Sequence, residues 1–305
     1  MGGHEHGTHQ RGSSLRALAL VLALTASFTV VEIIGGLLTG SLALLADAGH
    51  MLSDNLSLGL ALFAAWLATR PATPEKSFGY RRAEILAALA NGITLVAISI
   101  WVFVEAFSRL REPTEVLGGP MLAVAALGLL VNAVGAIVLY RSGGESLNVD
   151  GAMRHVLADA LGSVGAMAAA AVIILTGWRY ADPLISIAIG LLILGSSWTL
   201  LRDSTNILLE ATPRNLKAEE VGRKMAAADG VVEVHDLHIW TITSGFPALA
   251  AHVLVGTDED CHARRRELEG LLSHDFGISH TTLQVDHVGD HHASLQTLRF
   301  PSHND

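Results

Sequence analysis

Leu42-Ala-Leu-Leu-Ala-Asp47-Ala-Gly-His50-Met-Leu-Ser-Asp54-Asn-Leu-Ser-Leu-Gly-Leu-Ala-Leu-Phe-Ala-Ala-Trp-Leu-Ala68 is apolar for long enough to cross a bilayer as one helix, yet it carries three ionisable side chains. Similar runs flank it at Leu15–Leu38, Ala83–Phe107, Met121–Tyr140, about Ser146–Thr176 and Pro183–Leu201, giving six candidate spans joined by short connections. Pro71, Pro74, Pro113, Pro120 and Pro183 lie at or near their ends, where proline starts or stops helices. The first run contains Glu32 and lacks a short apolar core with a small-residue cleavage site, so it is expected to remain in the protein. Glycines such as Gly35, Gly36, Gly128 and Gly162 are expected to let spans approach closely.

Composition agrees with a membrane protein. Of 305 residues, 50% are hydrophobic and only 16% charged, and the mean hydropathy is +0.44. A soluble chain of this length carries about a quarter charged residues. The net charge of −9 argues against a nucleic-acid partner, which demands clustered Lys and Arg. The single cysteine, Cys261, excludes an intrachain disulfide and a four-cysteine zinc site.

Basic residues set the expected orientation. Arg11, Arg16, Arg70, Lys76, Arg81, Arg82, Arg141, Arg154 and Arg202 fall on one side, against Arg109, Arg111 and Arg179 on the other. The richer side, with both termini, is expected in the cytoplasm of a multi-pass protein of a bacterial inner membrane. The division expected is a histidine-containing tail over 1–14, a transmembrane domain over 15–205, a cytoplasmic domain over 210–288 and a tail over 289–305.

Glu32, Asp47, Asp54 and Asp159 all lie inside spans. At about +2.5 to +3.5 kcal/mol each near a helix centre, four such groups would cost roughly 10 kcal/mol if deep and charged. They must therefore face a cavity, one another or a cation. His50-Met-Leu-Ser-Asp54 repeats as His155-Val-Leu-Ala-Asp159, and residues four apart share one face of a helix. Of 15 histidines, the only ones in the spans are these two. Two imidazoles and two carboxylates make a ligand set suited to tetrahedral Zn²⁺. Asp47, one turn before His50, is expected to draw cations toward the site.

Nothing suggests an enzyme. There is no His-Glu-x-x-His, no phosphate-binding Gly-rich lysine loop and no Gly-x-Ser-x-Gly. A metal held by four protein ligands also leaves no position for a catalytic water. A sensor that binds zinc without moving it stays open, as does carriage of manganese, cobalt or iron, although those harder metals prefer more oxygen ligands.

Four stretches in order, Ser41 to Asp54, Ser77-Phe-Gly-Tyr-Arg-Arg-Ala-Glu84, His155 to Asp159 and Val234-His-Asp-Leu-His-Ile-Trp240, resemble the cation diffusion facilitator family, most of all its bacterial zinc exporters. The resemblance covers about residues 15–288. It implies six transmembrane helices, a cytoplasmic α+β ferredoxin-like domain, a homodimer and export of a divalent metal against protons. It implies His50, Asp54, His155 and Asp159 as the transport site, with Glu32 and Asp47 accessory. The His at position 50 resembles members that prefer zinc to cadmium. It further implies a cytoplasmic metal cluster at His235, His252, His262 and Asp286, with Zn²⁺ as regulator as well as substrate and no other cofactor. Gln284 stands where some members have another histidine. Thr73, Lys76 and Tyr80 replace the Asp and two His of a second loop site, so no metal is expected there. The connection Arg141–Glu145 has no histidines, and His4, His6 and His9 could collect metal in its stead.

In the last third, helices are expected over Ala218–Ala228 and Asp258–Phe276, and strands over Val231–Thr243, Ala248–Val255 and Ile278–Val288. Residues after His287 read as a loose tail.

Overall fold

The computed structural model describes residues 5–141, 147–289 and 300–301, with side chains over 18–141 and 151–289. Six long helices come first: α1 (Glu5–Thr39), α2 (Leu42–Ala68), α3 (Ala83–Arg111), α4 (Gly118–Arg141), α5 (Leu147–Thr176) and α6 (Ala181–Leu208). Each contains a segment long and apolar enough to cross a membrane. Large apolar side chains such as Leu37, Leu62, Val104 and Trp198 point outward. That is costly in water and natural against lipid tails. The expected fold class holds: six transmembrane helices, then a small α+β domain of ferredoxin-like kind. The side chains of His4, His6 and His9, and residues 142–146, lie outside the described residues.

The chain forms two compact units, residues 1–60 with 90–201, and residues 61–89 with 202–305. The first is cored by small side chains, among them Ala43, Ala46, Ala125, Ala166 and Ala170. Helix α4 packs against both α1 and α5. A Cβ added at Gly128 would lie 2.7 Å from the Phe28 ring and 3.0 Å from Ser163 Oγ, so glycine is what allows this three-helix approach. Gly59 on α2, by contrast, faces open space.

The start of α2 is clamped. Ser41 Oγ donates to Asp182 Oδ1 (2.6 Å), and the backbone N–H groups of Leu42 and Ala43 donate to the same carboxylate. Asp182 is fully buried. Arg109 stands 3.6 Å from it and donates to the Gly40 carbonyl. A carboxylate at a helix N-terminus satisfies orphan donors and complements the macrodipole.

In the second unit, α7 (Ala218–Ala226) and α8 (Cys261–Phe276) pack with a sheet of order β3-β2-β1-β4. Strands β1 (Val231–Thr243) and β2 (Phe246–Val255) are antiparallel, and β2 runs parallel to β3 (His280–His287) across α8. Val221, Met225, Leu268 and Leu272 from the helices meet Val234, Leu249 and Val253 from the sheet. Asp260 caps α8, accepting from the N–H groups of Ala263 and His262. Those bonds hold its carboxyl below the usual range. The loose tail expected after His287 needs correction, because Phe300 and Pro301 form β4 and pair with Val234 and Glu233. The open edge of β1 offers unpaired backbone groups, and proline is tolerated on an edge strand.

Connection 69–82 is also part of this unit. Thr73 and Lys76 pair through their backbones and Lys76 Nζ lies 4.0 Å from the Tyr80 ring centroid, so these three side chains and backbones engage one another.

Candidate functional site

An open cavity of about 490 Å³ lies among α2, α3, α5 and α6, and Asp47, His50, Asp54, Asn91, Arg154 and His155 help to line it. It extends toward the starting halves of α3 and α5 and the closing half of α6. Helical periodicity positions the polar side chains: His50 and Asp54 are one turn apart on α2, and His155 and Asp159 one turn apart on α5. The antiparallel run of α2 and α5 brings the two pairs face to face.

His50 Nε2 lies 3.4 Å from Asp54 Oδ2, Asp54 Oδ2 lies 3.4 Å from His155 Nδ1, and His155 Nε2 lies 3.4 Å from Asp159 Oδ2. The imidazole centroids are 6.0 Å apart at 63°. Ligand atoms of His50, His155 and Asp159 all fall within 4.8 Å of one another. These separations exceed ordinary hydrogen-bond lengths. Asp159 is almost wholly buried, and neither carboxylate oxygen has a hydrogen-bond partner. A buried carboxylate without donors demands a counter-ion.

Glu32 and Asp47 lie deeper. Glu32 is 1% exposed and Asp47 3%. Asp47 packs on Gly162, where a Cβ would come within 2.8 Å of its Oδ1. Asp47 helps to line the cavity while being almost fully buried. Asn132 and Ser163, each 1% exposed and unpartnered, add to this polar interior. Neither was singled out from the sequence. The signal available was an amide in an otherwise apolar span.

On the soluble domain, His235 and His252 are cross-strand partners with ring centroids 5.4 Å apart. The third member of their group is Asp236, with Oδ2 3.9 Å from His252 Nδ1. Among the described residues, His262 and Asp286 stand outside this group. His262 opens α8 beside its cap, and Asp286 accepts from Gln284 Nε2 at 2.7 Å. Gln284 is the β3 partner of His252 in the register. Asp236 has φ +50° within a register break between His235 and His238. Such a bulge upsets the strict alternation of faces, and aspartate is among the few residues that tolerate this conformation. His238 is exposed.

The model of the cation efflux transmembrane domain matches residues 18–209, and that of the cation efflux protein cytoplasmic domain matches residues 213–288. A "Cadmium, cobalt and zinc/H(+)-K(+) antiporter" of Bacillus velezensis is 41% identical over 295 residues, covering 95% of this chain and 94% of that protein. The "Metal cation efflux system protein CzcD" of Cupriavidus metallidurans is 41% identical over 285 residues, with 93% and 90% covered. The "Zinc transporter ZitB" of Escherichia coli is 43% identical over 281 residues, with 92% and 90% covered.

Proposed function

Since this chain belongs to the cation efflux, or cation diffusion facilitator, family of transporters, we propose that it exports Zn²⁺ from the cytoplasm in exchange for protons. His50, Asp54, His155 and Asp159 hold the cargo. The observation that carries this reading is the convergence of ligand atoms from His50, His155 and Asp159 within 4.8 Å of one another, with Asp54 Oδ2 3.4 Å from each imidazole. Ligands about 2.0–2.1 Å from a tetrahedral Zn²⁺ stand about 3.3–3.4 Å from each other; His155 meets Asp54 through Nδ1 and Asp159 through Nε2, so its ring must turn for all four side chains to close on one ion. The imidazoles favour a borderline-soft ion over magnesium or calcium. The relatives named for zinc support the same cargo.

The cycle follows from ligand chemistry. Zinc binds neutral imidazole and ionised carboxylate, so loading displaces protons. The cavity runs toward the helix ends richer in Lys and Arg, the side read as cytoplasmic. Once the site opens to a more acidic exterior, protonation of the ligands releases the ion. Rocking of helices about a fixed midplane site would alternate the access. Affinity must stay moderate: a micromolar site is worth about 8 kcal/mol, against about 10–16 for structural zinc.

We place both termini and the soluble domain in the cytoplasm and the chain in the inner membrane as a homodimer, a state for which the name given to the matched cytoplasmic domain, ZT_dimer, speaks. His235, Asp236 and His252 would bind regulatory zinc there, with His262 and Asp286 able to join only by moving.

The test is zinc flux into proteoliposomes carrying zinc and pH dyes, wild type beside Asp159→Ala. Coupled zinc and proton movement is expected in the wild type and none in the variant. Bound zinc without flux would favour a sensor. Surviving flux in Asp159→Ala would discard the ligand assignment. Competition by Cd²⁺ and Co²⁺ in the same vesicles ranks the cargo.

A further inference from the structure

The connection between α2 and α3 is basic in an acidic chain. Residues 69–82 carry Arg70, Lys76, Arg81 and Arg82 against Glu75 alone, a net charge of +3, where the whole chain has −9. Among the described residues, only Arg82 of these four has a carboxylate partner, Glu210 at 2.8 Å. The other three are exposed, and each is held over an aromatic face. Arg70 lies 4.6 Å from the Trp66 ring centroid, Lys76 4.0 Å from that of Tyr80 and Arg81 4.8 Å from that of Phe246. A ring face orients a cation without neutralising it. Their charge therefore stays available to an anion.

An apolar stripe leads down α2 to the first of these cations. Leu62, Phe63 and Trp66 are 66%, 57% and 51% exposed. Spacings of three and four residues put them on one face of the helix, with Arg70 one turn beyond Trp66. The Phe63 and Trp66 rings lie 5.7 Å apart, tilted by 34°. Tryptophan near the end of a span prefers the level of the lipid headgroups. The guanidinium stacked on Trp66 therefore stands at the depth of the phosphates. Gly79, at φ +65°, folds the connection back, and a Cβ there would lie 3.6 Å from the Arg70 carbonyl. The stretch that carries Lys76 and Arg81 is thus kept beside Arg70 rather than extended into water. A soluble anion would meet these cations but leave the aromatic stripe unused.

We propose that this surface is a binding site for one anionic glycerophospholipid, with the phosphate on Arg70 and an acyl chain along Trp66 and Phe63. Lys76 and Arg81 add attraction from the folded-back connection. Arginine matches a phosphate with paired donors, so the headgroup is held in a fixed place rather than merely drawn near. The net positive charge selects a headgroup without an amine, such as phosphatidylglycerol. In phosphatidylcholine the quaternary amine offsets the phosphate charge. The lipid steadies α2 at the end opposite the Asp182 clamp. Its binding does not depend on which ion the chain carries.

The test uses the full-length protein in a neutral detergent, where no charged leaflet attracts it. Native mass spectrometry compares retention of phosphatidylglycerol and phosphatidylcholine. The proteins are wild type, a triple variant (Arg70→Gln, Lys76→Gln, Arg81→Gln) and a control (Arg141→Gln, Arg202→Gln) that removes cations elsewhere. Wild type and control are expected to hold one phosphatidylglycerol in preference. Its occupancy should fall by about tenfold or more in the triple variant, since each cation beside a lipid phosphate is worth about fivefold. Equal retention of the two lipids, or an equal loss in the control, would overturn the site. So would displacement of phosphatidylglycerol by inorganic phosphate, which would make it a site for a soluble anion. Should the triple variant not fold, brominated lipids decide with wild type and Trp66→Phe. Brominated phosphatidylglycerol must quench wild-type tryptophan fluorescence more than brominated phosphatidylcholine does, and the excess must vanish in Trp66→Phe. Quenching indifferent to the headgroup, or an excess that survives in Trp66→Phe, refutes the proposal.

Discussion

Asp236 and His155 show how differently single residues can be read. His155 was legible because four residues along a helix return to one face, and nothing in α5 disturbs that rule. Asp236 was not, because a regular strand would turn it away from His235, and only the bulge with φ +50° brings it to His252. Its contribution can be measured directly. In an Asp159→Ala background, which silences the transmembrane site, Asp236→Asn should weaken zinc binding by about tenfold or more, as loss of a carboxylate at a metal site does. Equal affinity in equilibrium titration would remove Asp236 from the ligand set. His262 and Asp286 show the converse: both are ligand-type residues on the expected elements, and their positions on α8 and β3 lie outside the group formed by His235, Asp236 and His252.

At the scale of elements, the helices were legible from length and hydropathy, because the bilayer sets a minimum span. The clamp on α2 was not. Ser41 and Asp182 are 141 positions apart, and Asp182 reads as an ordinary loop acid before Pro183. Asp182→Ala would strip the Ser41 hydroxyl and two backbone donors of their acceptor, while Arg109 would keep its pair with Glu105. Leaving a buried donor without its acceptor costs about 1–3 kcal/mol. Thermal unfolding in detergent should therefore drop by several degrees, with zinc flux lost or slowed. An unshifted transition would mean that water replaces the carboxylate. The cap of α8 behaves otherwise. The lowered carboxyl of Asp260 supports its helix above the ordinary aspartate range and stops doing so as pH falls through its depressed value. Near neutrality this cap is insensitive to pH.

For the molecule as a whole, two chemistries share one chain. A lipid-facing bundle carries the candidate ion site, and an acidic domain with its own histidines follows it. The boundary was visible as a change from continuous apolar runs to alternating strands. The fourth strand was not, because Phe300 and Pro301 find β1 only after residues 290–299 have passed, and no local pattern encodes that return. Antiport makes a whole-molecule prediction. In vesicles acidified inside, each unit of pH difference is worth about 1.4 kcal/mol per proton exchanged, enough for about tenfold zinc accumulation. Collapsing the gradient with a protonophore should return zinc uptake to the equal-pH level. Uptake indifferent to the gradient would exclude proton coupling.

The clamp that pins the start of α2 also turns that helix into a lever. At 1.5 Å per residue, His50 stands about 12 Å and Asp54 about 18 Å from the fixed end. A swing of only about ten degrees would carry them about 2 and 3 Å, as far as a zinc–ligand bond is long. Coordination could thus be made or broken by a tilt that leaves every backbone hydrogen bond of α2 intact.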